Sequence, residues 1–254
     1  MKVPTGGGTP TTLASGFGPE LIAVDATSVY WTNEGTTSLT DGDGTVMKMP
    51  AGGGTPTTLA SGQSIPRFIA VDDTNVYWIN ADGTVMKVPT GGGTPTTLAS
   101  GQNEPIGIAV DATSVYWTNV DGYTVMKVPI GGGTPTTLAS SPGIQWAIAV
   151  DTTSVYWVTP AGTVMKMPTG GGTPTTLASG QGEGWAIAVD SASVYWTTSD
   201  YGTVMKAPIG GGAPTTLASG QNHPLGIAVD ATSVYWITSN YDYDDGMVMK
   251  LTPK

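Results

Sequence analysis

Few side chains in this 254-residue chain have the types and spacing that chemistry needs. Glu20, Arg67, Trp146 and Trp185 share one recurring position, two residues ahead of the isoleucine in an I-A-V-D segment, where Ile106 and Leu225 also stand. A Glu and an Arg on adjacent units can orient a polar ligand, although their own pairing is worth only about 0–1 kcal/mol when exposed. Two indoles on adjacent units, with carboxylates nearby, suit sugar rings or organic cations held by cation–π contact. His223, the only histidine, lies in Gln221-Asn222-His223-Pro224. A lone loop histidine is usually a surface group, so the aromatic pair carries more weight than the imidazole.

Two acidic segments have the oxygen-ligand character that calcium takes: Asp41-x-Asp43, and Asp242-x-Asp244-Asp245. Neither completes a calcium loop, because the position eleven residues after Asp41 is Gly52 and that after Asp242 is Pro253. Solvated acidic loops are the competing reading, and calcium is the one cofactor these residues suggest. The recurring P-T-G-G-G-T-P segments are not phosphate loops, since no GK[ST] follows them. No GxSxG-like elbow appears, and one histidine excludes chemistry that needs two. No residue is assigned a catalytic role.

The elements that must position these groups follow from a repeat. The tyrosines of a V-Y-W triplet fall at Tyr30, Tyr77, Tyr116, Tyr156, Tyr195 and Tyr235, spaced by 47, 39, 40, 39 and 40 residues. Each unit holds four short segments: Ile69–Asp72, Val76–Asn80, Thr84–Pro89 and Thr94–Ser100 are one set. All are rich in Val, Ile, Thr, Tyr and Trp and bounded by Gly, Asp or Pro, which reads as strands joined by turns. Four strands in about 40 residues make one antiparallel meander, which cannot bury both faces alone; radial stacking buries them. The expected fold is all-β: a single domain over residues 1–254, a six-bladed β-propeller of four-stranded blades.

The chain begins and ends within its repeat. Thr9–Ser15 is expected to supply the outermost strand of the blade whose inner strands come from Leu225–Leu251, which would leave no open edge. Met1–Pro4 and Val248–Leu251 compete for the third strand of that blade. The C-terminal copy is expected to win because it continues its own hairpin.

The motif I-A-V-D…V-Y-W-T-N…G-T-V-M-K-V-P, with a Pro shortly before it, resembles the YWTD repeats of low-density-lipoprotein-receptor-type propellers. It is also similar to NHL-repeat and TolB-like domains. The resemblance spans essentially the whole chain and implies the propeller fold. For function it implies a wide choice, since that group includes adhesion modules, scaffolds, lactonases and lyases. The final Asp of YWTD is replaced here by Asn33, Asn80, Asn119, Thr159, Thr198 and Thr238.

Comparing the units with one another separates frame from decoration. Asp25, Asp72, Asp111, Asp151, Asp190 and Asp230 recur at a tight turn, where a carboxylate can accept backbone N–H groups. The twelve V-Y-W aromatics are expected to wedge between blades, and the V-M-K lysines to lie on solvated strand faces. Variation gathers in the loops between strands two and three and between blades, which share one end; loop variation on one face marks a binding surface. The eight other aromatics, among them Phe17, Phe68, Tyr123, Tyr201, Tyr241 and Tyr243, fall there.

The expected function is non-catalytic binding of a small molecule, glycan or protein on that end, using Glu20, Arg67, Trp146, Trp185, His223, Tyr123, Tyr201, Tyr241 and Tyr243. One alternative is a metal-dependent, lactonase- or lyase-like enzyme with its site in the channel. Another is a purely structural scaffold. The net charge of −10 argues against nucleic acid as a partner. No apolar run is long enough for a helical membrane span. The absence of cysteine leaves the redox compartment open. A monomer is expected, and a secreted or cell-surface location would suit a trimmed domain.

Overall fold

The computed structural model of the chain describes residues 12–13, 19–35, 42–140, 147–239 and 246–254. Among these residues there is no helix, and the strands form six antiparallel sheets in succession. The first blade holds β1 (Pro19–Val24), β2 (Ser28–Asn33), β3 (Gly44–Pro50) and β4 (Thr57–Gln63). The second holds β5 (Pro66–Val71), β6 (Asn75–Asn80), β7 (Val85–Pro89) and β8 (Thr96–Ala99). The third holds β9 (Pro105–Val110), β10 (Ser114–Asn119), β11 (Thr124–Pro129) and β12 (Thr136–Ser140). The fourth holds β13 (Ala147–Val150), β14 (Ser154–Val158), β15 (Val164–Pro168) and β16 (Thr175–Ala178). The fifth holds β17 (Gly184–Val189), β18 (Ser193–Thr198), β19 (Thr203–Pro208) and β20 (Thr215–Ala218).

The sixth sheet has three strands among the described residues: β21 (Pro224–Val229), β22 (Val234–Ser239) and β23 (Gly246–Leu251). The C-terminal copy takes the third-strand position, pairing from Ser239↔Gly246 to Val234↔Leu251. Residues 1–4 and most of the expected outer strand at 9–15 lie outside the described residues. Leu13 is described, and a Cβ placed on Gly53 would meet its Cδ2 at 3.9 Å. Leu138 of β12 stands at the same 3.9 Å from the equivalent Gly171 of the next blade. Leu13 thus meets the first blade as an outer-strand leucine meets the blade that follows it. The chain divides into two compact units, Met1–Pro105 and Ile106–Lys254.

Within each unit one packing rule recurs. Tyr and Trp of V-Y-W are adjacent in a strand, so they point to opposite faces. The tyrosine of one blade meets the tryptophan of the next: Tyr30 with Trp78, Tyr116 with Trp157, Tyr156 with Trp196 and Tyr195 with Trp236. This explains why the second strand reads as an unbroken apolar run, since it is buried on both faces. Each fully buried large side chain contributes about 1.5–3 kcal/mol.

A buried phenol needs an acceptor, and each tyrosine finds one five residues upstream. The hydroxyls of Tyr30, Tyr77, Tyr116, Tyr156 and Tyr235 donate to Asp25, Asp72, Asp111, Asp151 and Asp230 at 2.7 Å, and Tyr195 to Asp190 at 2.9 Å. The other carboxylate oxygen accepts the turn. Asp151 Oδ1 takes the Thr153 N–H and hydroxyl at 2.7 and 2.8 Å and the Ser154 N–H at 2.8 Å. The turn role expected of these aspartates is what the structure shows. Their bond to tyrosine is an addition that the turn reading did not include.

The lysines depart from expectation, for they bridge blades and do not simply face solvent. Lys48 donates to the Thr90 carbonyl of the next blade, Lys127 to that of Thr169 and Lys166 to that of Ile209, all at 2.8 Å. Each ammonium also stands over its own blade's tyrosine ring, 5.5 Å from Tyr30, 5.4 Å from Tyr116 and 5.6 Å from Tyr156. The physical reason is that the last turn of each next blade leaves a carbonyl beside an electron-rich ring face, a site for a cation. At the fifth blade Lys254 stands over Tyr195 at 5.5 Å and pairs with Asp190 at 2.6 Å. The turns that supply these carbonyls need glycine: in the second blade, Gly92 and Gly93 have φ of 90° and 141°.

Replacing Lys127 by Met keeps the apolar stem and removes the charged donor, leaving the Thr169 carbonyl short of a partner. Urea unfolding should show a loss of about 2 kcal/mol. Lys206→Met should cost clearly less, because Lys254 covers the ring of Tyr195 in that blade. Equal losses would contradict the bridging role.

Candidate functional site

Antiparallel pairing fixes which loops share an end. In the fifth blade Gly184 faces Thr198 and Thr198 faces Thr203, so the entry to β17 and the β18–β19 turn lie together. Among the described residues the sequence-predicted ones lie at that end of their own blades: Glu20 and Arg67 in the first unit, and Tyr123, Trp185, Tyr201 and His223 in the second.

In the first unit, Glu20 opens β1 and Arg67 lies in β5, two residues ahead of Ile69. The expected pairing of these two is corrected by the structure: the Arg67 Nε donates to Glu34 Oε1 at 3.2 Å. Glu34 directly follows Asn33, the last residue of β2, and that position brings its carboxylate to the guanidinium. The hydroxyl of Thr32 fixes the backbone beneath, donating to the Arg67 carbonyl at 2.9 Å. Glu20 therefore sits beside a pair already made. Its carboxyl is raised above the usual value, first by burial and then by the charge of Glu34, with Arg67 opposing. Asp43 is exposed, and a Cβ on Gly35 would overlap its carboxylate at 2.2 Å, so only glycine lets these two approach.

In the second unit, Trp185 of β17 and His223, at the entry to β21, bring their rings together with centroids 6.2 Å apart and planes tilted by 50°. Both are half-buried. His223 holds a left-handed φ of 44°, uncommon for a residue with a side chain, and the residue that follows is Pro224. The strand beneath is fixed by Thr197, whose hydroxyl donates to the Leu225 carbonyl at 2.6 Å and accepts the Ala186 N–H at 3.2 Å. Beside it, Asp200 Oδ1 accepts the N–H groups of Glu183 and Tyr201 at 2.7 and 2.9 Å. That carboxylate holds a loop, which leaves Glu183 as the half-buried acid near the tryptophan; its Oε2 accepts the Ser199 hydroxyl at 3.4 Å. Tyr201 is 62% exposed. Tyr123 is exposed in the β10–β11 turn of the third blade, with φ of 50°.

Trp146, Tyr241, Tyr243, Phe17, Asp41, Asp242, Asp244 and Asp245 lie outside the described residues, so most of the calcium reading does too. Among the described residues no group of three or more His, Cys, Asp or Glu side chains is placed to hold a metal ion. Sequence reasoning missed Glu34 as the partner of Arg67, and it missed the glutamine of L-A-S-G-Q. Gln63 and Gln221 each accept a hydrogen bond from the indole of the next blade, Trp78 and Trp236, at 3.0 Å. The residues standing where YWTD has its Asp bond mainly within their own hairpins. Asn33 and Asn80 donate to Thr45 and Thr84 at 3.0 Å, and the Thr198 and Thr203 hydroxyls lie 2.6 Å apart.

No protein-family model matches the chain, and no curated protein does. Solved structures do. A propeller from the nidogen/laminin complex has a TM-score of 0.68 at 17% identity, covering 82% of this chain and 86% of that one. Streptogramin B lyase gives 0.72 at 12% identity, covering 93% and 83%. The computationally designed Ika8 protein gives 0.69 at 20% identity, covering 92% and 70%. At these identities the likeness concerns the fold, which is an all-β, six-bladed β-propeller.

The charge arrangement around Glu20 has a measurable consequence. Glu34→Gln should bring the Glu20 carboxyl back toward its usual value, while Arg67→Met should raise it further. Carboxyl NMR titration reads both, and an unmoved Glu20 in either variant would contradict the arrangement.

Proposed function

We propose that this chain is a binding propeller that takes a sugar ring or an organic cation at the end bearing Trp185 and His223. The observation that carries the reading is the tilted Trp185–His223 pair, half-buried on adjacent blades whose strands the Thr197 hydroxyl ties together. An indole fixed by its strand loses little freedom when a ligand stacks on it, which favours binding. Glu183 and the exposed Tyr201 supply a carboxylate and a second aromatic beside it. Trp146 stands at the equivalent sequence position of the preceding blade and is proposed to extend the same surface.

The two natural proteins of similar fold differ in what they do: one is found in a complex with laminin and the other is a lyase. This chain's single histidine does not supply a two-histidine mechanism, and the binding reading needs none.

A thermal-shift screen of monosaccharides, oligosaccharides and quaternary amines tests the proposal. A ligand at about 100 times its Kd should stabilise the protein by about 2.7 kcal/mol. Trp185→Ala should abolish that shift while leaving the ligand-free midpoint nearly unchanged. A shift that persists in Trp185→Ala, or no shift from any member of the panel, would overturn the assignment.

A further inference from the structure

The methionines of the third strands stand in two environments. Met167 of β15 is fully buried in the seam between the third and fourth blades. Met86 of β7 and Met165 of β15 also lie against seams, but they are only half-buried. Their sulfurs meet the outermost strand of their own blade. The exposed Thr97 of β8 donates its hydroxyl to Met86 Sδ at 3.2 Å, and the exposed Thr176 of β16 donates to Met165 Sδ at 3.4 Å. Strand register sets both contacts, since Met86 faces Thr97 and Met165 faces Thr176. The first and third blades repeat the bond, from Thr58 to Met47 at 3.4 Å and from Thr137 to Met126 at 3.3 Å.

A thioether is a weak acceptor, so this bond adds little to the hairpin. Its effect is to hold a hydroxyl donor against a sulfur at the rim of the blade. Oxidation of a methionine ordinarily disrupts packing, because a polar oxygen arrives where no donor waits. Here the donor is already in place.

We propose that Met86 and Met165 are sites of reversible oxidation by peroxides, and that each blade keeps its packing because the threonine hydroxyl passes from the sulfur to the new sulfoxide oxygen. The sulfur lone pair attacks one peroxide oxygen. The O–O bond breaks, the S–O bond forms, and the second oxygen leaves with the proton of the first, as water when the oxidant is hydrogen peroxide. Sulfur loses two electrons and the peroxide gains them. Two thiols reverse the step: they give back two electrons, become a disulfide, and the oxygen leaves as water. The inference does not rest on the binding reading, which uses other residues.

Folded protein treated with hydrogen peroxide, digested with trypsin and mapped by mass spectrometry reads the sites, because cleavage after Lys166 separates Met165 from Met167. Met86 and Met165 should each gain one oxygen well before Met167 does. A thiol-dependent methionine sulfoxide reductase should return both peptides to their original mass. Thr97→Val/Thr176→Val removes the two hydroxyls, and its thermal midpoint should fall on oxidation by roughly 2–4 °C more than that of the parent. Thr97→Ser/Thr176→Ser keeps the donors and should behave as the parent does. Should the valine pair fail to fold, Thr97→Val alone gives the same comparison at Met86. Oxidation of Met167 as fast as of the other two, or equal losses of midpoint in parent and valine variant, would overturn the proposal.

Discussion

The bond between an aspartate carboxylate and a tyrosine hydroxyl, made once in each blade, is the interaction on which the rest of this structure depends. It lets a phenol ring lie in the seam between blades without an unsatisfied hydroxyl, whose burial would otherwise cost about 1–3 kcal/mol. The same carboxylate ties the turn that starts the strand carrying that tyrosine. Burial is the largest single effect on Asp25, Asp72, Asp111, Asp151 and Asp190 and pushes them up. The hydrogen bonds they accept together outweigh it, holding Asp25 and Asp190 down at about 2. For Asp190 the strongest of those bonds comes from Lys254. The tyrosines move the other way, Tyr30 and Tyr195 being pushed up to about 12 by burial and by the aspartate each one meets.

From that bond the architecture follows in steps. The turn fixes the strand, and the alternation of Tyr and Trp sends one aromatic into each of two seams. The lysine then joins the tyrosine ring of one blade to a carbonyl of the next. Because the seams within each unit use the same tyrosine–tryptophan pair, whatever varies between repeats is free to serve another purpose. Trp185, His223 and Tyr201 stand on such variable ground, and the Thr197 hydroxyl ties together the strands that carry Trp185 and follow His223.

Much of this was legible in the sequence because it repeats. Six V-Y-W triplets, six aspartates and the glycine-rich turns gave the strands, their order and the all-β fold, and the third-strand position went to Val248–Leu251 as its hairpin continuity implied. What was not legible depends on contacts between units of the repeat. Lys48 looks like any solvated lysine until the Thr90 carbonyl of the next blade is in place. Arg67 looked nearest to Glu20, since both occupy equivalent positions, but Glu34, directly after β2, is the acid that reaches it.

The most direct test is the unfolding midpoint of the parent and of Tyr30→Phe from about pH 2 to about pH 12. An aspartate held below its unfolded value of about 3.9 contributes stability that is complete above pH 4 and is lost as the pH falls toward 2. A tyrosine held above its unfolded value of about 10 contributes stability that is complete below pH 10 and is lost as the pH rises toward 12. The parent should therefore show a plateau between about pH 4 and pH 10 that falls on both sides. Tyr30→Phe should lie below it on the plateau and fall less steeply at both ends, since one bond no longer titrates. Parallel curves for the two proteins would contradict the central place given to the aspartate–tyrosine bond.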